Sequence, residues 1–96
     1  MTLKEIQELV DAWTAKKHSG IRNEFATMAT LTEEVGELAR VVAQKHSDPT
    51  MSAETARQAV ATELCDVLWA LCQLANQAGV DLGEALIDNL SICDLR

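Results

Sequence analysis

Apolar residues recur along the chain every three or four positions, and a few caps and turn formers break the series. Leu3, Ile6, Leu9, Val10 and Trp13 form the first run, the spacing of one face of an α-helix. It opens on Thr2-Leu3-Lys4-Glu5, a capping box in which a hydroxyl accepts from a first-turn backbone N–H and a carboxylate reaches back to the cap. This helix is expected to fade near Lys17–Gly20, with a connector through about Asn23. The second helix is expected from about Glu24 to Lys45, with Met28, Leu31, Val35, Leu38 and Val42 as its amphipathic stripe. It stops before His46-Ser47-Asp48-Pro49, because proline bars helical geometry at the residue preceding it. Ser52 caps a third helix carrying Val60, Leu64, Val67, Leu68, Leu71, Leu74 and Ala78, and Gly79 supplies its left-handed stop. Asp81-Leu82-Gly83-Glu84 starts a shorter fourth, marked by Leu82, Leu86 and Leu90. The pattern predicts an all-α fold, a four-helix bundle-like subunit, with residues 1–96 forming a single domain.

Composition narrows this. The chain is 48% hydrophobic but only 3% aromatic, with Ala and Leu supplying much of the apolar content, which suits close-packed helices. A chain of 96 residues buries only about 60–65% of its unfolded surface, so self-association is expected to cover part of the rest. Eight Lys and Arg against fifteen Asp and Glu give a net charge of −7. That balance lacks the basic face a nucleic-acid binder needs, yet it admits a nucleotide held through a divalent cation. Cys65, Cys72 and Cys93 are odd in number and form no C-x-x-C pair. They read as small core hydrophobes in a reducing cytoplasm. No apolar stretch approaches the roughly 20 residues a bilayer requires, so no membrane partner is expected.

The carboxylates fall in register with the stripes. At 100° per residue, Glu34 lies about 80° from the centre of the second helix's apolar stripe, and Glu37 about 60° further round in the same sense. On the third helix Glu63 and Asp66 repeat about the same two offsets in the same sense. If the two helices are antiparallel neighbours, as a short connector from about His46 to Met51 favours, one of the two side-by-side arrangements turns all four acids into one groove; the other makes them diverge. Carboxylates crowded beside apolar surface repel one another unless they protonate or hold cations, and an oxygen-rich, water-accessible site suits Mg²⁺ or Mn²⁺. No Glu-x-x-His occurs, so a ferritin-like di-iron site is not expected. The alternative reading is a solvated helix face, where acidic i, i+3 pairs are common.

Leu31-Thr32-Glu33-Glu34-Val35-Gly36-Glu37-Leu38 and Glu63-Leu64-Cys65-Asp66-Val67-Leu68 resemble the Glu-Glu-x-x-Glu and Glu-x-x-Asp halves of the signature of the MazG-like nucleoside triphosphate pyrophosphohydrolases. The twenty-five residues between Glu37 and Glu63 suit that family. The resemblance extends from Leu9-Val10-Asp11, through Leu38-Ala39-Arg40, to Leu74-Ala75-Asn76 and Asp81-Leu82-Gly83-Glu84-Ala85. It implies a helical fold assembling as a homodimer or, in short members, a dimer of dimers. It implies cleavage of a nucleoside or deoxynucleoside triphosphate between the α and β phosphates, to the monophosphate and pyrophosphate. Carried onto this chain, it implies Mg²⁺ ligation by Glu34, Glu37, Glu63 and Asp66, with Glu33 as outer ligand or water-orienting base. The chemistry agrees: metal ions would let a triphosphate enter an acidic groove and would offset transition-state charge.

Several further residues are also candidates, most with more than one reading. Trp69 continues the Glu63, Asp66 row and would fill a subunit interface, stack on a base, or pack within the chain. Trp13 fits the first helix's core stripe, or else the lip of a nucleotide pocket. Lys16, Lys17 and Arg22 would meet phosphates or simply solvate a helix end, and Asn76 would read a sugar or base. His18 and His46 lack any partner at zinc spacing. The last helix holds one basic residue, Arg96, where the family usually carries Lys and Arg that hold the phosphates. Two other functions fit parts of the pattern. One is a non-catalytic helical interaction module; the other is an enzyme like the helical phosphoribosyl-ATP pyrophosphohydrolases.

Overall fold

The computed structural model describes residues 1–17 and 23–93, with side chains up to residue 16 and from 23 to 90. It holds α1 (Leu3–Lys17), α2 (Glu24–Ser47), α3 (Ala53–Ala78) and α4 (Leu82–Cys93), and no strand among the described residues. Each boundary has a local cause. Glu5 N–H donates to Thr2 Oγ1 at 3.1 Å and Thr2 N–H to Glu5 Oε1 at 3.0 Å, the expected capping box, and these bonds hold the Glu5 carboxyl below its ordinary pKa. Asn23 Oδ1 accepts from Ala26 N–H at 2.9 Å and Ser52 Oγ from Thr55 N–H at 3.1 Å. Gly79 sits at φ 71, where a side chain would be strained, and lets Val80 N–H return to Ala75 O at 2.8 Å. Asp81 Oδ1 caps α4 through Glu84 N–H at 3.1 Å. Helix α2 runs two residues past the expected Lys45, because Pro49 constrains only Asp48, which is the extended C-cap.

Helices α2 and α3 form the most extensive pair, α1 lies on α3, and α4 touches α1. On α2 the inward row is Thr27, Leu31, Glu34, Leu38 and Val41; on α3 it is Ala56, Val60, Glu63, Val67 and Ala70. Steps of three and four on both sides are those of a knobs-into-holes seam. This corrects the expected core. Val35 and Val42, read as stripe residues, stay 47% and 38% exposed, and Leu64, Leu68 and Leu71 remain 39–51% exposed. The apolar pattern contains two adjacent rows: one faces the partner helix, and the other lies one residue, about 100°, further round. In an antiparallel pair, equal rotations of the same hand emerge on the same side. The hairpin therefore shows one apolar face that this chain leaves uncovered.

The bundle is accordingly open. Its radius of gyration is 15.9 Å, against about 12–13 Å for a compact chain of this length. Cys72 is fully buried, and burial pushes its thiol pKa up. Cys65, expected in the core, is exposed, since two residues past Glu63 is about 200° round the helix, away from the seam. The side chain of Cys93 lies outside the described residues. No described helix is long and apolar enough to cross a membrane.

Helix α1 is fixed by a buried amide. Val10 is almost wholly buried, and Gln7 makes the polar ties. Its Nε2 donates to Asn76 Oδ1 at 3.2 Å and Val80 O at 2.9 Å, while its Oε1 accepts from Leu82 N–H at 2.9 Å. Asn76 Nδ2 donates in turn to Gln7 O at 2.9 Å. One side chain thus ties α1, the end of α3 and the start of α4. Gln7→Ala leaves the Leu82 amide and Asn76 carbonyl without these partners, and is expected to cost about 2–3 kcal/mol of stability, read as a lower urea midpoint.

Candidate functional site

The α2–α3 seam is interrupted at mid-length by acids. One carboxylate oxygen each from Glu34, Glu37 and Glu63 lies within 4.8 Å of the others, with Glu34 and Glu63 half-buried and Glu37 exposed. Sequence angles put Glu34 and Glu63 at the margin of the buried face; they stand in the seam itself, because the seam is rotated toward them. Glu34 replaces the apolar residue expected between Leu31 and Leu38, and Glu63 the one expected before Val67 and Ala70. Glu37 and Asp66, three residues on, fall about 60° toward the rim.

The electrostatics follow from that placement. Glu34 Oε2 and Glu63 Oε2 are buried and have no hydrogen-bond partner among the described residues. Desolvation, then the charges of Glu37, Asp66, Glu63 and Glu33, raise the Glu34 pKa. Desolvation raises that of Glu63 as well, followed by the charges of Glu37 and Asp66 and a hydrogen bond to Glu37, with Arg40 pulling the other way. Asp66 is exposed and lies outside the tight trio, within Coulombic reach of both seam acids. Glu33 is exposed and acts on Glu34 by charge. Orphaned acceptor oxygens beside like charges are costly in the seam. An all-oxygen set with no histidine or cysteine matches a hard divalent cation, which would satisfy both orphaned oxygens at once.

Around this cluster the other candidates divide. Trp69, one turn beyond Asp66, is half-buried against Trp13, with ring centroids 4.9 Å apart and planes at 88°. Of its three readings, the intrachain contact is present. Trp13 is 44% exposed rather than core, because α1 covers α3 through Val10 and Gln7 and leaves the indole at the rim. Beside the pair, Asp11, Thr14, Gln73, Asn76 and Gln77 line a polar cleft of about 120 Å³. Gln73 Nε2 donates to Thr14 Oγ1 at 3.1 Å across its floor. Asn76 faces this cleft with its amide engaged by Gln7. Lys16 is exposed at the end of α1, level with Asp66 in the antiparallel register that the Trp13–Trp69 and Gln7–Asn76 contacts define. His46 is exposed. Arg22, His18, Arg96 and the Lys17 side chain lie outside the described residues.

Two residues escaped the sequence reading. Gln7 occupies the apolar stripe of α1, four positions after Leu3 and three before Val10, and a polar residue in such a stripe signals a buried hydrogen-bond hub. Arg40 continues the row of Glu37 one turn on and is the cation whose charge reaches Glu63.

Comparison with known proteins bears on this arrangement. Residues 22–91 match the model of the MazG nucleotide pyrophosphohydrolase domain. The chain is 38% identical over 84 residues to YpjD, an uncharacterized protein of Bacillus subtilis (strain 168), covering 88% of this chain and 76% of that protein. It superposes with a TM-score of 0.74 and 32% identity on the crystal structure of the Bacillus-conserved MazG protein, a nucleotide pyrophosphohydrolase, over 100% of this chain and 90% of the other. The paired acids of a helical hairpin are thus found in a chain that belongs to the MazG family, and the protein is a nucleotide pyrophosphohydrolase.

Proposed function

We propose that residues 1–96 form one catalytic domain that hydrolyses ribo- or deoxyribonucleoside triphosphates between the α and β phosphates. The products are the monophosphate and pyrophosphate, the cation Mg²⁺ with Mn²⁺ as substitute, and the role cytoplasmic housecleaning of the nucleotide pool. The observation that carries this reading is the pair of buried, partnerless oxygens of Glu34 and Glu63 converging with Glu37. Glu34, Glu37, Glu63 and Asp66 would hold the ion. When bound, the cation supplies charge neutralisation for the phosphate oxygens and Lewis acidity toward the attacking water. Everything else falls to the chain. Glu33, exposed beside Glu34, accepts the proton of the water as it attacks the α-phosphorus and the bond to the bridging oxygen breaks. The Trp13–Trp69 pair offers the base a π surface, Asn76 and its cleft take sugar or base edges, and Lys16, Lys17 and Arg22 add positive charge near the phosphates.

The uncovered apolar face of the α2–α3 hairpin, a row of part-exposed Val and Leu on each helix, supports self-association into a homodimer or homotetramer. Net charge −7 argues against nucleic-acid partners.

The activity is tested with a panel of ribo- and deoxyribonucleoside triphosphates in Mg²⁺, following pyrophosphate against orthophosphate. Pyrophosphate and a monophosphate are expected as first products. Orthophosphate with a nucleoside diphosphate would refute α–β cleavage.

A further inference from the structure

We propose that Arg40 binds the β- and γ-phosphates of the substrate and so fixes which way round the nucleotide lies across the acidic cluster. The assignment rests on the triphosphate reading above and on three features of the hairpin.

The first is position along the site. Glu37 is the first charge acting on Glu63, and the charge of Asp66 reaches Glu34, so in the antiparallel pair the cluster has two distinct ends. Trp69 lies one turn past Asp66, about 4.5 Å along α3, at the end where Trp13 meets it. Arg40 lies six residues past Glu34, about 9 Å along α2, at the opposite end, toward the Asp48–Ser52 connection. Helical side chains lean toward their own N-terminus, and the charge of Arg40 reaches Glu63.

The second is that Arg40 is uncommitted. It is exposed, and among the described residues it makes no hydrogen bond or ion pair. The contrast is Arg57, whose guanidinium is held by Glu54 at 2.6 Å. A cation placed merely to offset crowded acids would be expected to close onto Glu37 or Glu63. Arg40 stays within Coulombic reach of Glu63 with all five donors free.

The third is chemical. A fixed cation beside a metal site weakens metal binding unless an anion comes between them. A triphosphate running from the indole pair, over the carboxylates, would bring its terminal phosphates to that place. The planar fork of arginine matches two phosphate oxygens at once and would stabilise the charge that gathers on departing pyrophosphate. Helix α4 itself carries no Lys or Arg.

The test uses the intact chain with Mg²⁺ and Arg40→Gln. The variant is expected to keep its helicity and thermal midpoint, to lose about 10²–10³-fold in kcat/KM, and to bind Mn²⁺ no more weakly than the parent. Inhibition by inorganic pyrophosphate should weaken at least about tenfold, whereas inhibition by the nucleoside monophosphate stays the same. Arg40→Lys should recover part of the loss. Unchanged kcat/KM and pyrophosphate inhibition, equal weakening of both products, or a parent enzyme insensitive to pyrophosphate would each overturn the assignment. A parent that releases no pyrophosphate at all fails the functional reading first; a parent that releases it beside an unaffected variant fails Arg40 alone.

Discussion

Replacing Glu34 by Gln lowers turnover at least about a hundredfold and, in the absence of metal, makes the chain more resistant to heat at neutral pH. The two effects have one cause. Glu34 stands in the α2–α3 seam with Oε2 buried and partnerless, and desolvation together with four neighbouring carboxylates raises its pKa. A neutral amide of the same size keeps the packing between Leu31 and Leu38 and removes the charge. Stability gained by deleting a charged residue, at the expense of function, marks a site held under strain for a ligand. Glu37→Gln and Asp66→Asn should match the loss of turnover but leave the metal-free melting temperature nearly unmoved, because both residues are exposed. Pyrophosphate release and thermal melts on the three variants separate these outcomes. An active Glu34→Gln enzyme, or one that melts lower, contradicts this account.

Divalent cation and pH should act on stability in opposite senses. The folded state favours the protonated forms of Glu34 and Glu63, whose pKa values are raised. Their contribution is therefore fully present below the ordinary glutamate pKa of about 4.3. It is lost as pH rises from there through the raised values. The metal-free protein should lose stability across that window. Mg²⁺ requires deprotonated ligands, so its benefit should be absent at the acid end and grow as pH rises. At a hundredfold excess over Kd the gain is about 2.7 kcal/mol. Thermal melts from pH 4 to 8, with and without Mg²⁺, should show the two curves diverging upward in pH. Parallel curves would mean that the seam acids do not hold the ion.

Much of the fold was legible because its signals are local. Thr2 and Glu5, Asn23, Ser52, Gly79 and Asp81 each fix a boundary through hydrogen bonds within a few residues, and such chemistry is written in adjacent letters. The identity of the seam was not. The period of α2 admits two apolar rows one residue apart, and nothing in Met28, Leu31, Val35, Leu38 and Val42 says which row meets α3 and which meets another surface. That ambiguity moved Glu34 and Glu63 from margin to seam and left Val35, Leu64 and Leu68 exposed. Convergence of the acids survived the error, because a common rotation of both helices preserves the equal offsets of Glu34 with Glu63 and of Glu37 with Asp66. Trp13 takes the second of its two readings, at the rim rather than in the core, where α1 buries Gln7 and Val10 instead. The long-range ties of Gln7 to Asn76, Val80 and Leu82 link residues about seventy positions apart, beyond any local pattern.

Glu34, Glu37, Glu63 and Asp66 are proposed to form one cation site. Titration of Mn²⁺ followed by electron paramagnetic resonance tests it without substrate or turnover. The free-ion signal should be quenched saturably by the parent chain, quenched far less by Glu63→Gln, and restored by competing Mg²⁺. A parent chain that leaves the free Mn²⁺ signal intact, or a Glu63→Gln variant that quenches it equally, would contradict the site.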